Sequence, residues 1–464
     1  MASFINDNTI TSLLGSVMPT AVVDAKRFTS TKHPNYVQIS LDNVRPMQGF
    51  TQANIQAMYE DLLSKELELT EEEQQNIANL ATKNYAYCTS EDCVNWMLSD
   101  WFSIVVERSI AHSTTELHER FNLPPKVLSF KRKAKLSIRH PIGEVYRDGM
   151  IDSDNTLPPD VIVMSGNFFP DWVFLDTNDL KSARDDTAGI AHIIGEGKIS
   201  IGFNPRLLEC LQSIGGIDWE NAKGDTPATL YAIDCLKQIG TYAWLGQTRY
   251  AFIATEKSTA FLRFFLVHRG QRPSDTILGV EYSWVNLTSS GTKELTMSNG
   301  MHALAMMAQN EKYRRIVEKG ELEDLRMWYY VDLEGDRLYF HPISRIITNR
   351  NPDTDFPPTH INLADVRTRE SFFDRYLETR LKGEGRGIGQ LSESDTEFLR
   401  DTLISTVLND RAIEGHPPMK RDDIVKALIS LPDEVSLLII RAWMKCTGLS
   451  AEDVPFLTEL LKKK

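Results

Sequence analysis

Apolar residues along this chain recur with two different spacings, and the switch between them separates helical from strand-forming stretches. Over 90–111, Val94, Met97, Leu98, Trp101, Ile104 and Val105 return every three or four positions, the period of a helix with one buried face. A helical pattern also runs over 48–85, where Thr51 stands as a cap and Thr70 with Glu73 spells a capping box. Residues 1–47, with prolines at 19, 34 and 46, hold no sustained period and are expected to form a loose lead-in. From 126 to 164 the pattern turns to strands: 142–146 precedes an Asp148-Gly149 turn, and 160–164 is a second apolar run. Trp172-Val173-Phe174-Leu175 and 191–194 are strand-like and flank a polar loop at 177–186. Residues 227–245 are helical. Strands are predicted at 250–254 and 260–267 around a polar turn, then at 280–285, before a Met- and Ala-rich helix over 295–317. A hairpin over 327–341 turns at Glu334-Gly335-Asp336, and 350–360 reads as a linker. Short amphipathic helices dominate from 368 onward, broken at 383–389, and no internal repeat is visible. The order helix, several strands, helix, strand pair predicts an α/β (α+β) sandwich with one mixed central β-sheet.

Composition changes this picture little: 42% hydrophobic and 25% charged residues suit a soluble globular protein. The net charge of -13 argues against a protein that coats nucleic acid without specificity, while leaving room for a local basic groove. Lys126, Lys131, Arg132, Lys133, Lys135, Arg139 and Arg147 gather positive charge in one stretch. Such a run serves as a phosphate-contact surface, a nuclear-localisation patch or simply a solvated face. The opening Met-Ala-Ser-Phe-Ile-Asn-Asp-Asn lacks the layout of a signal peptide, and no run of about 18 apolar residues follows. An intracellular protein, nuclear or cytoplasmic, with no membrane partner is therefore expected. Cys88, Cys93, Cys210, Cys235 and Cys446 are scattered and odd in number, without the paired spacing of a zinc site, so reduced structural thiols are expected.

The candidate chemistry lies near the middle. Pro170-Asp171 opens the first apolar strand, the second runs into Gly195-Glu196-Gly197-Lys198, and Gln238 and Tyr242 stand four apart on the predicted helix, sharing a face. Hydrolysing a phosphodiester at neutral pH requires hydroxide and relief of charge in the transition state, which Mg²⁺ or Mn²⁺ held by carboxylates on adjacent strands supplies. Asp171 and Glu196 are placed to converge on one metal. Lys198 projects from the same strand face as Glu196, where its ammonium would orient the attacking water or offset phosphate charge. Gly195 and Gly197 would let a substrate backbone approach, and Gln238 and Tyr242 would hydrogen-bond a phosphate or metal-bound water. The plainer reading is a surface strand with an ordinary Glu-x-Lys pair, since each short motif alone is common.

Several stretches together resemble the PD-(D/E)XK nuclease superfamily, and within it a group of uncharacterised fungal proteins carrying a PD-(D/E)XK nuclease-like domain. They are Phe169-Pro170-Asp171-Trp172, Ile194-Gly195-Glu196-Gly197-Lys198-Ile199-Ser200, Leu236 to Tyr242 continuing through Thr248 to Thr255, and more weakly Leu295 to Ala308. Ser90-Glu91 with Asn95-Trp96 looks like the family's first helix. The resemblance covers about 85–318 and implies a restriction-endonuclease-like core there, with a lead-in and helical segment at 1–84 and a hairpin, linker and helical region at 319–464. It implies that Asp171 and Glu196 bind Mg (or Mn), with Glu91 as an additional metal-site acid. Lys198 would be the catalytic lysine and Gln238 with Tyr242 the Gln-x-x-x-Tyr motif, acting on DNA or RNA. Glu107, Glu116 and Glu119 compete with Glu91, and Asp160 with Asp171. Because members of this superfamily have lost catalysis, a silent fold that binds nucleic acid or protein as a scaffold is the alternative. The glycine run at 383–389 lacks a preceding strand and a P-loop lysine and reads as a linker, the methionines of 297–307 read as helix core, and Cys235 as packing.

Overall fold

The computed structural model describes residues 9–16, 18–23, 36–67, 69–88, 90–121, 128–132, 170–176, 191–213, 227–270, 272–333, 336–352, 354 and 356–361. Outside them lie the strand-like runs 142–146 and 160–164, Asp160, the polar stretch 177–186, most of the basic run, the glycine run and the segment from 368 onward whose pattern predicts short helices. The chain forms two compact units, one of Met1–Arg326 with Asp353–Asp355 and the other of Met327–Pro352 with Phe356–Lys464.

The first unit opens with α1 (Ile10–Leu14), β1 (Thr20–Val23), β2 (Gln38–Pro46), α2 (Gln52–Met58), α3 (Glu60–Leu63), α4 (Glu71–Thr82) and β3 (Asn84–Cys88). Thr70 and Glu73 form the capping box at the start of α4, each side chain taking the other's backbone N–H, as their spacing predicts. The long periodic helix is α5 (Glu91–Trp101), continued through one wide π turn at Phe102–Val106 into α6 (Glu107–Phe121). There follow β4 (Leu128–Arg132), β5 (Trp172–Asp176), β6 (Ala191–Gly197), α7 (Arg206–Ser213), α8 (Pro227–Leu245), β7 (Tyr250–Ala254), β8 (Ser258–His268), β9 (Ile277–Asn286) and α9 (Met297–Ala308). The helix predicted to run to 317 stops at Ala308, and Asn310 caps a separate short turn by accepting from the Lys312 amide.

Seven strands make one mixed sheet in the order β2-β9-β8-β7-β6-β5-β4. The β2–β9 and β6–β7 pairs are parallel and the other neighbours antiparallel. The loose lead-in expected over 1–47 is corrected here, because Gln38–Pro46 is an edge strand of the sheet. Its pattern is hard to read locally: the pairing with β9 slips between Ile39 and Val44, and only one face of an edge strand needs to be apolar.

Alternate residues of the strands feed the two faces. Val173, Leu175, Ile194, Ala251 and Ile253 pack with Leu236, Ile239 and Ala243 of α8 in one core. Trp172, Phe174, Phe130 and Phe252 point the other way, into aromatic contacts centred on Phe102 of the π turn. The parallel step from β6 to β7 is made through α8, so the strand carrying Glu196 and the helix carrying Gln238 and Tyr242 are held against each other.

The second unit holds the predicted hairpin, β10 (Tyr329–Leu333) with β11 (Asp336–Phe340), extended by β12 (Ile347–Thr348) and β13 (Thr359–His360) around buried Phe340 and Ile361. Among the described residues no helix is long and apolar enough to cross a membrane.

Candidate active site

Asp171 stands just before β5, and its side-chain oxygen Oδ2 accepts the Gly197 amide N–H at 3.0 Å. The antiparallel pairing of Trp172 with Gly195 brings the end of β6 beside it. Glu196 and Lys198 are 4% exposed each, and the Lys198 amide continues the ladder by donating to the Ala254 carbonyl at 2.8 Å. Lys198 Nζ lies 3.4 Å from Glu196 Oε2 and 3.6 Å from Glu91 Oε2. Glu91 is the first residue of α5, and Tyr231 Oη donates to its Oε1 at 3.5 Å.

Burial sets the electrostatics. It pushes the Glu196 carboxyl up to about 8; Lys198 pulls the other way, while the facing Asp171 and the nearby Glu91 add to the rise. Glu91 is also raised, first by burial and then by Asp171, against the opposing pull of Lys198. Burial works against the Lys198 ammonium, but the two glutamates outweigh it and hold its pKa well above the ordinary lysine value. The site thus sets one lysine against three acids, of which Glu196 is buried while Asp171 and Glu91 are partly exposed, and the Asp171 charge adds to the rise at Glu196.

One face of α8 closes the cluster. Tyr231, Cys235, Gln238 and Tyr242 recur at helical spacing, and Gln238 Nε2 donates to Tyr242 Oη at 3.1 Å. Burial raises Tyr242 above the ordinary tyrosine value, Glu196 adding to it, so the hydroxyl is a neutral group. Tyr36, from the segment ahead of β2, hydrogen-bonds Tyr242; burial and then Glu196 push its phenol up to about 12. Cys235 is buried, and burial with the glutamate charges lifts its thiol to about 12 against the pull of Lys198, so it packs as a protonated thiol.

All six residues named from the sequence, Glu91, Asp171, Glu196, Lys198, Gln238 and Tyr242, therefore meet around one point. Of the acids competing with Glu91, Glu107 is engaged elsewhere, accepting the Phe130 amide of β4 at 2.5 Å, and the side chains of Glu116 and Glu119 lie outside the description. The glycines have a different purpose from the one expected. A Cβ on Gly195 would come 2.1 Å from the Phe252 ring, and one on Gly197 would come 2.2 Å from Asn95 Oδ1. They admit the protein's own side chains on the sheet face away from Glu196, not a substrate backbone. Asn95, one turn beyond Glu91, also accepts Trp172 Nε1–H at 2.7 Å and so ties α5 to both motif strands.

Tyr36 and Tyr231 were not picked out by sequence reasoning. Tyr231 carried a signal, lying seven positions before Gln238 on the same helix face, whereas Tyr36 carried none. Among the described residues no three His, Cys, Asp or Glu side chains converge as a ready metal cage. The donor set of the pair is nonetheless suited to a hard cation: two carboxyls forced together, whose mutual repulsion a divalent ion would relieve. Mg²⁺ needs only one or two protein carboxylates, since water and phosphate oxygens fill the rest of its shell. No family model, curated protein or solved structure matches the chain.

Proposed function

We propose that this protein hydrolyses phosphodiester bonds of nucleic acid with the help of Mg²⁺ or Mn²⁺, on a restriction-endonuclease-like core built from β5, β6, β7 and α8. The observation that carries this reading is the meeting of Asp171, Glu196 and Lys198, with Lys198 Nζ 3.4 Å from Glu196 Oε2 in a buried setting. Asp171 and Glu196 would hold the cation, with Glu91 as a further acid beside it. Bound there, it would lower the pKa of water and offset charge on the phosphoryl oxygens. Lys198 keeps its proton at any physiological pH and so acts as a fixed positive charge, aligning the attacking water and stabilising the charge that builds on phosphorus oxygens. Gln238 and Tyr242 supply neutral donors that orient the phosphate without adding charge.

The test is cleavage of mixed DNA and RNA substrates by purified protein in Mg²⁺ or Mn²⁺, beside Glu196→Ala and Lys198→Ala. Removing a group that acts on the reacting atoms is expected to lower the rate at least about 100-fold, with both variants near background. Cleavage that persists in both variants contradicts the reading. Metal and nucleic-acid binding without cleavage by the wild type supports instead a silent fold used as a scaffold.

A further inference from the structure

Tyr36 lies far from the motifs in sequence, and the strand that follows it, β2, stands at the opposite edge of the sheet from β4. It nevertheless reaches the site, because the chain ahead of β2 is fastened to α8. The Val37 amide donates to Thr241 Oγ1 at 2.9 Å in a buried bond, and Thr241 Oγ1 in turn donates to the Lys237 carbonyl at 2.7 Å. These contacts fix the neighbours of Tyr36 and Tyr242 against each other. Tyr36 is 6% exposed and shares one core with Tyr242, Tyr231 and Cys235.

A chain of contacts follows. Gln238 Nε2–H is spent on Tyr242 Oη, the Tyr242 hydroxyl meets that of Tyr36, and Tyr36 feels the charges of both Glu196 and Lys198. Linked hydroxyls polarise one another, and in a buried setting each restricts where the next can point. We propose that Tyr36 is a positioning residue of this site, its hydroxyl fixing that of Tyr242 so that the Gln238–Tyr242 pair meets a phosphoryl oxygen at one set place. The proposal rests on the phosphodiesterase reading and adds to it a residue from the N-terminal segment, outside the stretch that bears the motifs.

Tyr36→Phe keeps the ring in the core and deletes only the hydroxyl. It is expected to lower kcat on the order of tenfold with KM little changed, within the coupling range of hydrogen-bonded neighbours. The decisive comparison is Tyr36→Phe, Tyr242→Phe and the double variant. If Tyr36 acts through Tyr242, the double variant is no slower than Tyr242→Phe alone. Losses that multiply, or an unchanged kcat in Tyr36→Phe, overturn the proposal. A second readout separates its failure from failure of the hydrolytic reading. In protein labelled with 3-fluorotyrosine, the ¹⁹F resonance of Tyr242, assigned by its loss in Tyr242→Phe, should move in Tyr36→Phe whether or not the protein cleaves anything. A Tyr242 resonance that stays in place refutes the coupling even if cleavage is robust; a resonance that moves in a protein without cleavage upholds the coupling and removes only the hydrolytic reading.

Discussion

Glu196 shows how much of a site's character comes from where a residue is put. Its carboxyl would titrate near 4.5 in the unfolded chain and is pushed up to about 8 in the fold, first by burial and then by Asp171. Between those values the folded protein keeps a proton that the unfolded chain has lost, so Glu196 favours the fold most below about 4.5. That contribution declines as pH rises and is gone above about 8. Glu196→Gln removes the titration. In chelator-treated protein, the melting temperature of the variant relative to wild type is expected to climb from pH 5 to pH 8.5; a difference flat across that range would mean that the fold does not hold the Glu196 carboxyl above its ordinary value. Sequence carried the identities of this group well: two residues apart on a strand share a face, and Glu196 and Lys198 do. It could not carry the meaning of Gly195 and Gly197. Their spacing says that something comes close, and only the fold says that it is Phe252 and Asn95.

At the scale of elements, α5 is pinned to the motif strands by one amide. Asn95 is 1% exposed, accepts Trp172 Nε1–H and lies against Gly197, while Glu91 sits one turn earlier facing Lys198. Gly197→Ala must push Asn95 aside, and overpacking of this kind costs about 1–3 kcal/mol. Urea unfolding is expected to show that loss, together with weakened contact between α5 and β6; stability equal to wild type would mean that the helix sits more loosely than described. The periodicity of α5 and α8 was legible because their apolar positions repeat within a few turns. That of β2 was not, because its place is set by pairing with β9 some 240 residues later, Gln38 against Ile277, and a local window holds no trace of that partner. Tyr36 was hidden for the same reason.

Across the whole molecule, the sheet and α8 bring together acids and a lysine that the chain spreads from Glu91 to Lys198, and add donors from as far away as Tyr36 and Tyr242. The mixed α/β architecture was readable from the alternation of periods, while the order of strands was not, since parallel neighbours such as β2 and β9 leave no turn between them. The central claim is that Asp171 and Glu196 form one hard-oxygen pair able to hold a divalent cation. The measurement that tests it most directly is a calorimetric titration of purified, chelator-stripped protein with Mn²⁺, beside Asp171→Ala and Glu196→Ala. The carboxylate pair predicts one saturable site in the wild type that is lost in either variant; no binding by the wild type, or binding that survives both substitutions, would contradict it.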